Sequence, residues 1–113
     1  MKRIILIALL TVSSSAYAAD CTQLAQSADA TAEHIIPRVT FQVSGKDRLY
    51  FYSAPADECR TQAFIIPKDH VIAYQTSGAW TYVMYLHPKT HQDTGGWIRT
   101  DRLEFIGTAS AMP

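Results

Sequence analysis

The sequence predicts a small, mainly β domain of five or six antiparallel strands, folded as a small barrel or sandwich, with a short N-terminal helix. Three observations point there. From Arg38 onward, apolar and polar residues alternate in short runs separated by Gly, Pro, Ser and Asp, the pattern of half-buried strands joined by tight turns. Residues 19–36 lack that alternation and hold neither Gly nor Pro. Ahead of both lies a leader: Lys2 and Arg3, an apolar run from Ile4 to Val12, and small residues ending Ala16-Tyr17-Ala18.

A basic head, a short hydrophobic core and an A-x-A site make residues 1–18 a secretory signal peptide, cleaved after Ala18. The apolar run falls short of the roughly 20 residues a bilayer span needs. Asp20 precedes Cys21, where a lipoprotein signal wants a small residue, so a lipid anchor is the weaker alternative. Export places the chain in the periplasm or outside the cell.

Each element then follows in order. Asp20 with Gln23 resembles a capping box, and Leu24, Ala25, Ala28, Ala32 and Ile35 fall near helical spacing, so residues 21–34 form a helix ended by Pro37. The helical segment spans 19–37 and the β domain 38–107. Val39–Val43 alternates as a strand, and Ser44-Gly45-Lys46-Asp47 turns. Leu49–Tyr52 is a second strand, stopped by Ser53-Ala54-Pro55. Ala63–Ile66 and Val71–Gln75 are short strands separated by Pro67, and Thr76-Ser77-Gly78 turns. Ala79–His87 is the longest strand, and Pro88–Gly95 is a polar hairpin loop. Gly96–Arg99 and Leu103–Ile106 complete the ladder, and residues 108–113 form a frayed tail.

Removing the 18 leader residues from 113 leaves 95, enough for one domain. Without Lys2 and Arg3, eight basic residues face ten acidic ones, a net charge of −2. That balance argues against nucleic acid as a partner. It also argues against a polybasic membrane surface. No later segment is apolar enough for stable membrane insertion. Two cysteines in an exported domain read as one disulfide, Cys21 to Cys59, with free thiols or an intermolecular bridge as the alternative. The closed loop of about 38 residues is worth roughly 4 kcal/mol in the chain-entropy model.

Catalytic patterns are missing. There is no Gly-x-Ser-x-Gly elbow and no phosphate loop. His87 and His91 flank a loop with only Asp93 as a third ligand, so a solvated loop is expected rather than a metal centre. His34 and His70 stand apart from them. No nucleophile or base has a recognisable orienting partner, so neither enzyme activity nor a cofactor is expected.

Four segments carry a family resemblance. They are Leu49-Tyr50-Phe51-Tyr52-Ser53-Ala54-Pro55, Ile66–Val71, Ser77-Gly78-Ala79-Trp80-Thr81-Tyr82-Val83, and Gly96-Trp97-Ile98 followed by Leu103. In order and spacing the stretch from Asp47 to Ile106 resembles the bacterial SH3 (SH3b) domain. Ala54 stands where that family has glycine in the first turn, Lys68-Asp69-His70 lacks the glycine often found in the second loop, and the loop 88–95 is long. The resemblance implies an SH3-like barrel. It also implies a peptidoglycan peptide as ligand, because these domains commonly serve wall-cleaving enzymes.

Strand alternation assigns faces. With Val83 inward, Thr81 and Tyr85 follow it, as do Leu49, Phe51, Ile98 and Leu103. Tyr50, Tyr52, Trp80 and Tyr82 then point outward, with Trp97. Such a set suits an aromatic groove for an extended peptide. The alternative is that the N-terminal helix covers it. The expected function is a non-enzymatic binding domain of the cell envelope. The rival reading is a periplasmic inhibitor or immunity protein that neutralises a toxin or a cell-wall hydrolase. A structural envelope role without a dedicated ligand also remains open.

Overall fold

The structure is a computed structural model that describes residues 16–108, with the side chains described from Asp20 onward. It is mainly β, with one helix, α1 (Ala16–Thr31), and seven strands: β1 (Glu33–Val43), β2 (Leu49–Tyr52), β3 (Arg60–Ile65), β4 (His70–Ser77), β5 (Trp80–Leu86), β6 (Asp93–Arg99) and β7 (Leu103–Thr108). All pairings are antiparallel in a single sheet of order β3-β2-β6-β5-β4-β1-β7. The sheet is open, because β3 and β7 end it and do not pair with each other. The strand count and the missing closure correct the expected barrel of five or six strands.

The sheet nonetheless curls around one core. Val43, Leu49, Phe51, Ile65, Val71, Ala73, Val83 and Ile98 form a single buried cluster, with Leu103 packed against it. Ile65 lies on one end strand and Leu103 on the other, so both ends of the sheet contribute to the same interior. Buried Thr81 sits beside this core, and its hydroxyl is satisfied at 2.7 Å by that of Thr100 in a 3-10 turn between β6 and β7. The inward assignment of Leu49, Phe51, Thr81, Val83 and Ile98 is borne out by their burial.

The turn after β1 depends on a glycine. Gly45 has φ of +94°, and a Cβ there would lie 2.6 Å from Arg102 Nε. That arginine donates from Nε to Ser44 O at 2.8 Å and from a terminal nitrogen to Asp47 O at 2.6 Å, binding the turn to the start of β7.

Several boundaries differ from those expected. The helix is Ala16–Thr31, not 21–34, so Asp20 lies inside it and does not cap it. Pro37 does not end the helix; it lies inside β1, after a cis Ile36–Pro37 bond. The β-branched pair Ile35-Ile36 favours the extended chain, and β1 begins at Glu33, well before Pro37. β1, at 11 residues, is therefore the longest strand, rather than the segment from Ala79 to His87. The hairpin loop is shorter than expected, because Asp93, Thr94 and Gly95 belong to β6. Thr76 and Ser77 belong to β4, and Gly107 and Thr108 to β7. Residues 1–15 of the leader and 109–113 of the tail lie outside the described residues.

The expected disulfide is present between Cys21 and Cys59. It joins α1 to the 3-10 turn Asp57–Cys59 between β2 and β3. The inner face of the helix runs through Cys21, Ala25 and Ala28, and Ala32, just past its end, continues the spacing of four, three and four residues. These small side chains let the helix lie close to the sheet. Ala28 is buried, while Leu24 points away and is 40% exposed.

Candidate functional site

Directly opposed residues on antiparallel strands share one face of the sheet. The register therefore builds a row across five strands: His34 opposite Gln75, Gln75 opposite Tyr82, Tyr82 opposite Trp97, and Trp97 opposite Tyr52. This row lies on the face away from the core, beneath α1. Ala28 and Ala32 pack there against Trp80, Trp97, Tyr52 and Tyr82.

The helix covers one part of this face and leaves another open. Trp80 and Trp97 are 8% and 2% exposed. The Tyr52 ring meets Trp80 edge-on at 4.8 Å between centroids, and Tyr82 meets Trp97 the same way at 5.5 Å. The Arg99 guanidinium lies 4.4 Å over Trp80 and is ion-paired with Asp57, closing the cluster from below. Elsewhere the face stays open. Two adjoining depressions of about 500 Å³ and 430 Å³ open between α1 and the sheet, sharing Asp29, Gln75 and Tyr82. Trp97 and Ser53 line one, while His34, Tyr74 and the bulged segment Ile35–Arg38 line the other. Ligand sites are commonly clefts of this size with a few placed polar groups.

Two bulges shape the cleft. In β4 the register slips at Tyr74, between the pairs Ala73–Val83 and Gln75–Tyr82. Ala73 faces the core, and the extra residue turns Gln75 to the opposite face, beside Tyr82. In β1 the register slips between His34 and Val39, so Ile35–Arg38 bulges outward around the cis proline. Ile36 stands at the rim, 87% exposed. Arg38 lies on the ring of Tyr74 at 4.4 Å.

Gln75 is the polar centre of the cleft. It is only 7% exposed, and its Nε2 donates to Asp29 Oδ1 of the helix at 3.0 Å. Among the described residues, no fully buried side-chain nitrogen or oxygen lacks a partner. Gln75 Oε1, which has no hydrogen bond of its own there, therefore opens into the cleft. Gly95 lets Tyr82 lie flat across β6, since a Cβ at that position would come within 2.8 Å of the tyrosine oxygen.

Of the five aromatic residues singled out from the sequence, Tyr52, Trp80, Tyr82 and Trp97 come together beneath α1, and Tyr82 and Trp97 also line the cleft. Tyr50 stands apart, against Phe64 at 5.6 Å and under Arg60 at 4.4 Å. Sequence reasoning missed Asp29, His34 and Gln75. Gln75 carried a usable signal, as the one polar residue at an inward position of Val71–Gln75.

The histidines hold turns and edges. His87 Nδ1 accepts from the backbone N–H of Lys89 at 3.1 Å and of Thr90 at 3.2 Å, and His70 Nε2 lies 3.2 Å from Gln42 Oε1. Among the described residues no group of three or more His, Cys, Asp or Glu is placed to hold a metal ion. None of the described helices is long and apolar enough to cross a membrane. Burial, and secondarily the charge of Asp69, raises the Tyr85 hydroxyl above its ordinary pKa. No family model, curated protein or solved structure matches the chain.

Proposed function

We propose that this chain is an exported, non-enzymatic binding domain of the cell envelope that recognises peptidoglycan peptides in the cleft between α1 and the sheet. The observation that carries this reading is the cross-strand row His34–Gln75–Tyr82–Trp97, which combines amide and aromatic surface in an open depression. An extended peptide offers backbone amides to Gln75 and apolar surface to the rings. The leader and the disulfide support a periplasmic or extracellular location. The SH3b resemblance supports the same ligand class, and the curling of seven strands around one core supports barrel-type packing.

Purified sacculi test this reading. The mature protein should be retained on them well above an albumin control, and Tyr82→Ala should lose that retention while keeping its fold. Retention no greater than that of albumin contradicts the reading.

A second reading is an inhibitor or immunity protein acting on a toxin or wall hydrolase. It is favoured by the exposed apolar residues Phe64, Ile66 and Leu86, which line depressions around Tyr85 and Pro88. Protection of cells co-expressing a toxin or hydrolase encoded beside this gene supports it; failure to protect removes it.

A further inference from the structure

The polar atoms of the cleft specify more than a peptide. Asp29 gives Oδ1 to Gln75 Nε2, and its Oδ2 has no hydrogen-bond partner among the described residues. The ion pair found among those residues joins Arg99 to Asp57, so Asp29 has no cationic partner there. Gln75 has spent a donor on Asp29, and its Oε1 faces the opening. Two acceptors thus line the same cleft, one of them anionic, on the exposed Asp29, and the other on a side chain more than nine-tenths buried. Beside them stands the ring of Tyr82, whose π face attracts cations. The nearby ring of Tyr74 already carries the Arg38 guanidinium.

In the depression that Trp97 and Ser53 line, Asp29 is the charged residue, whereas Arg38 and His34 line the adjoining one, so a carboxylate or a phosphate is disfavoured beside Trp97 and Ser53. A neutral amide satisfies an acceptor but offers no charge to the exposed Asp29 carboxylate. An alkylammonium has three donors and a positive charge. Its donors match Asp29 Oδ2 and Gln75 Oε1, and its charge suits the neighbouring Tyr82 ring.

We infer that Asp29, Gln75 and Tyr82 form a receptor for a free ammonium group, so that the peptide bound in the cleft is one that carries an unblocked amine on a diamino-acid side chain. This inference rests on the reading of the cleft as the peptide site. It makes the cleft selective: wall peptides whose amine is acylated, as it is when cross-linked, do not fill it. The domain then reports uncross-linked peptide.

Retention on sacculi can be compared before and after acetylation of their amines with acetic anhydride, using the wild-type chain, Asp29→Asn and Tyr82→Ala. The Asp29→Asn variant keeps an oxygen for Gln75 Nε2 and removes only the charge, and thermal melts check each fold. The expected result is that acetylation and Asp29→Asn each weaken retention by tenfold or more, and that Asp29→Asn no longer distinguishes the two sacculus preparations. Equal retention on native and acetylated sacculi, lost in Tyr82→Ala, overturns the ammonium receptor and leaves the cleft as a peptide site. Retention unaffected by either variant, or no retention at all, overturns both.

Discussion

Replacing Cys21 and Cys59 together by serine should cost about 4 kcal/mol of folding stability. The bridge closes a span of 38 residues. In the chain-entropy model that span contributes about 13 cal/mol/K, or about 4 kcal/mol at 25 °C. A domain of this size is stable by about 5–10 kcal/mol, so the variant should be marginal at 37 °C. Among the described residues the helix has little else to hold it. Ala28 is its buried hydrophobic residue, a methyl group worth about 1 kcal/mol, and Leu24 contributes less because it is 40% exposed. The Gln75–Asp29 hydrogen bond adds about 1 kcal/mol more. Against these stands the entropy of ordering the helix, about 1–2 kcal/mol per residue before its own hydrogen bonds are counted. Loss of the bridge should therefore release α1 and expose Trp80 and Trp97, the two tryptophans of the chain. Urea unfolding followed by tryptophan emission reads both effects: a lower midpoint, and a red-shifted emission already in the absence of urea. A stability loss below about 1 kcal/mol with unchanged emission would show that the helix is held by its own packing, and the reasoning fails.

Two further predictions concern the sheet. Gly96→Ala should destabilise by about 1–3 kcal/mol, because the added Cβ lies 3.2 Å from Phe51 Cβ and from the Tyr52 carbonyl oxygen at a buried position of β6; an unchanged urea midpoint contradicts that packing. Tyr85 has a hydroxyl pKa raised first by burial and then by Asp69, so the folded state holds its proton more tightly than the unfolded chain. That contribution is present below the ordinary tyrosine pKa of 10.0 and is lost as pH rises through the folded value. Tyr85→Phe should flatten the alkaline fall in stability measured by urea titration from pH 8 to 11, and an identical slope in the two proteins contradicts the raised pKa.

Much of the strand layout was legible because period-2 alternation and turn residues act locally. Leu49–Tyr52 has the bounds expected from sequence, and Phe51, Val83 and Ile98 face the core as alternation requires. The cysteine pair was legible because a chain with two cysteines leaves few alternatives. The helix end was misplaced because Pro37 is a strong local stop, whereas the chain had already left the helix at Thr31, six residues earlier. Neither the cis bond before Pro37 nor the bulge around it leaves a pattern in composition. The cleft was harder still. Its centre, Gln75, reaches the helix face only because Tyr74 is an extra residue in β4, and alternation alone places it on the opposite face. Tyr82 and Trp97 were singled out as outward aromatics, but that α1 covers Trp97 and leaves Tyr82 half open depends on contacts between segments far apart in sequence.

The most direct measurement is amide chemical-shift mapping of the mature protein titrated with a soluble uncross-linked muropeptide. Shifts clustered at Asp29, Gln75, Tyr82 and Trp97 are the expected result. Shifts confined to Phe64, Ile66 and Leu86, or none at millimolar muropeptide, would contradict a wall-peptide site beneath the helix.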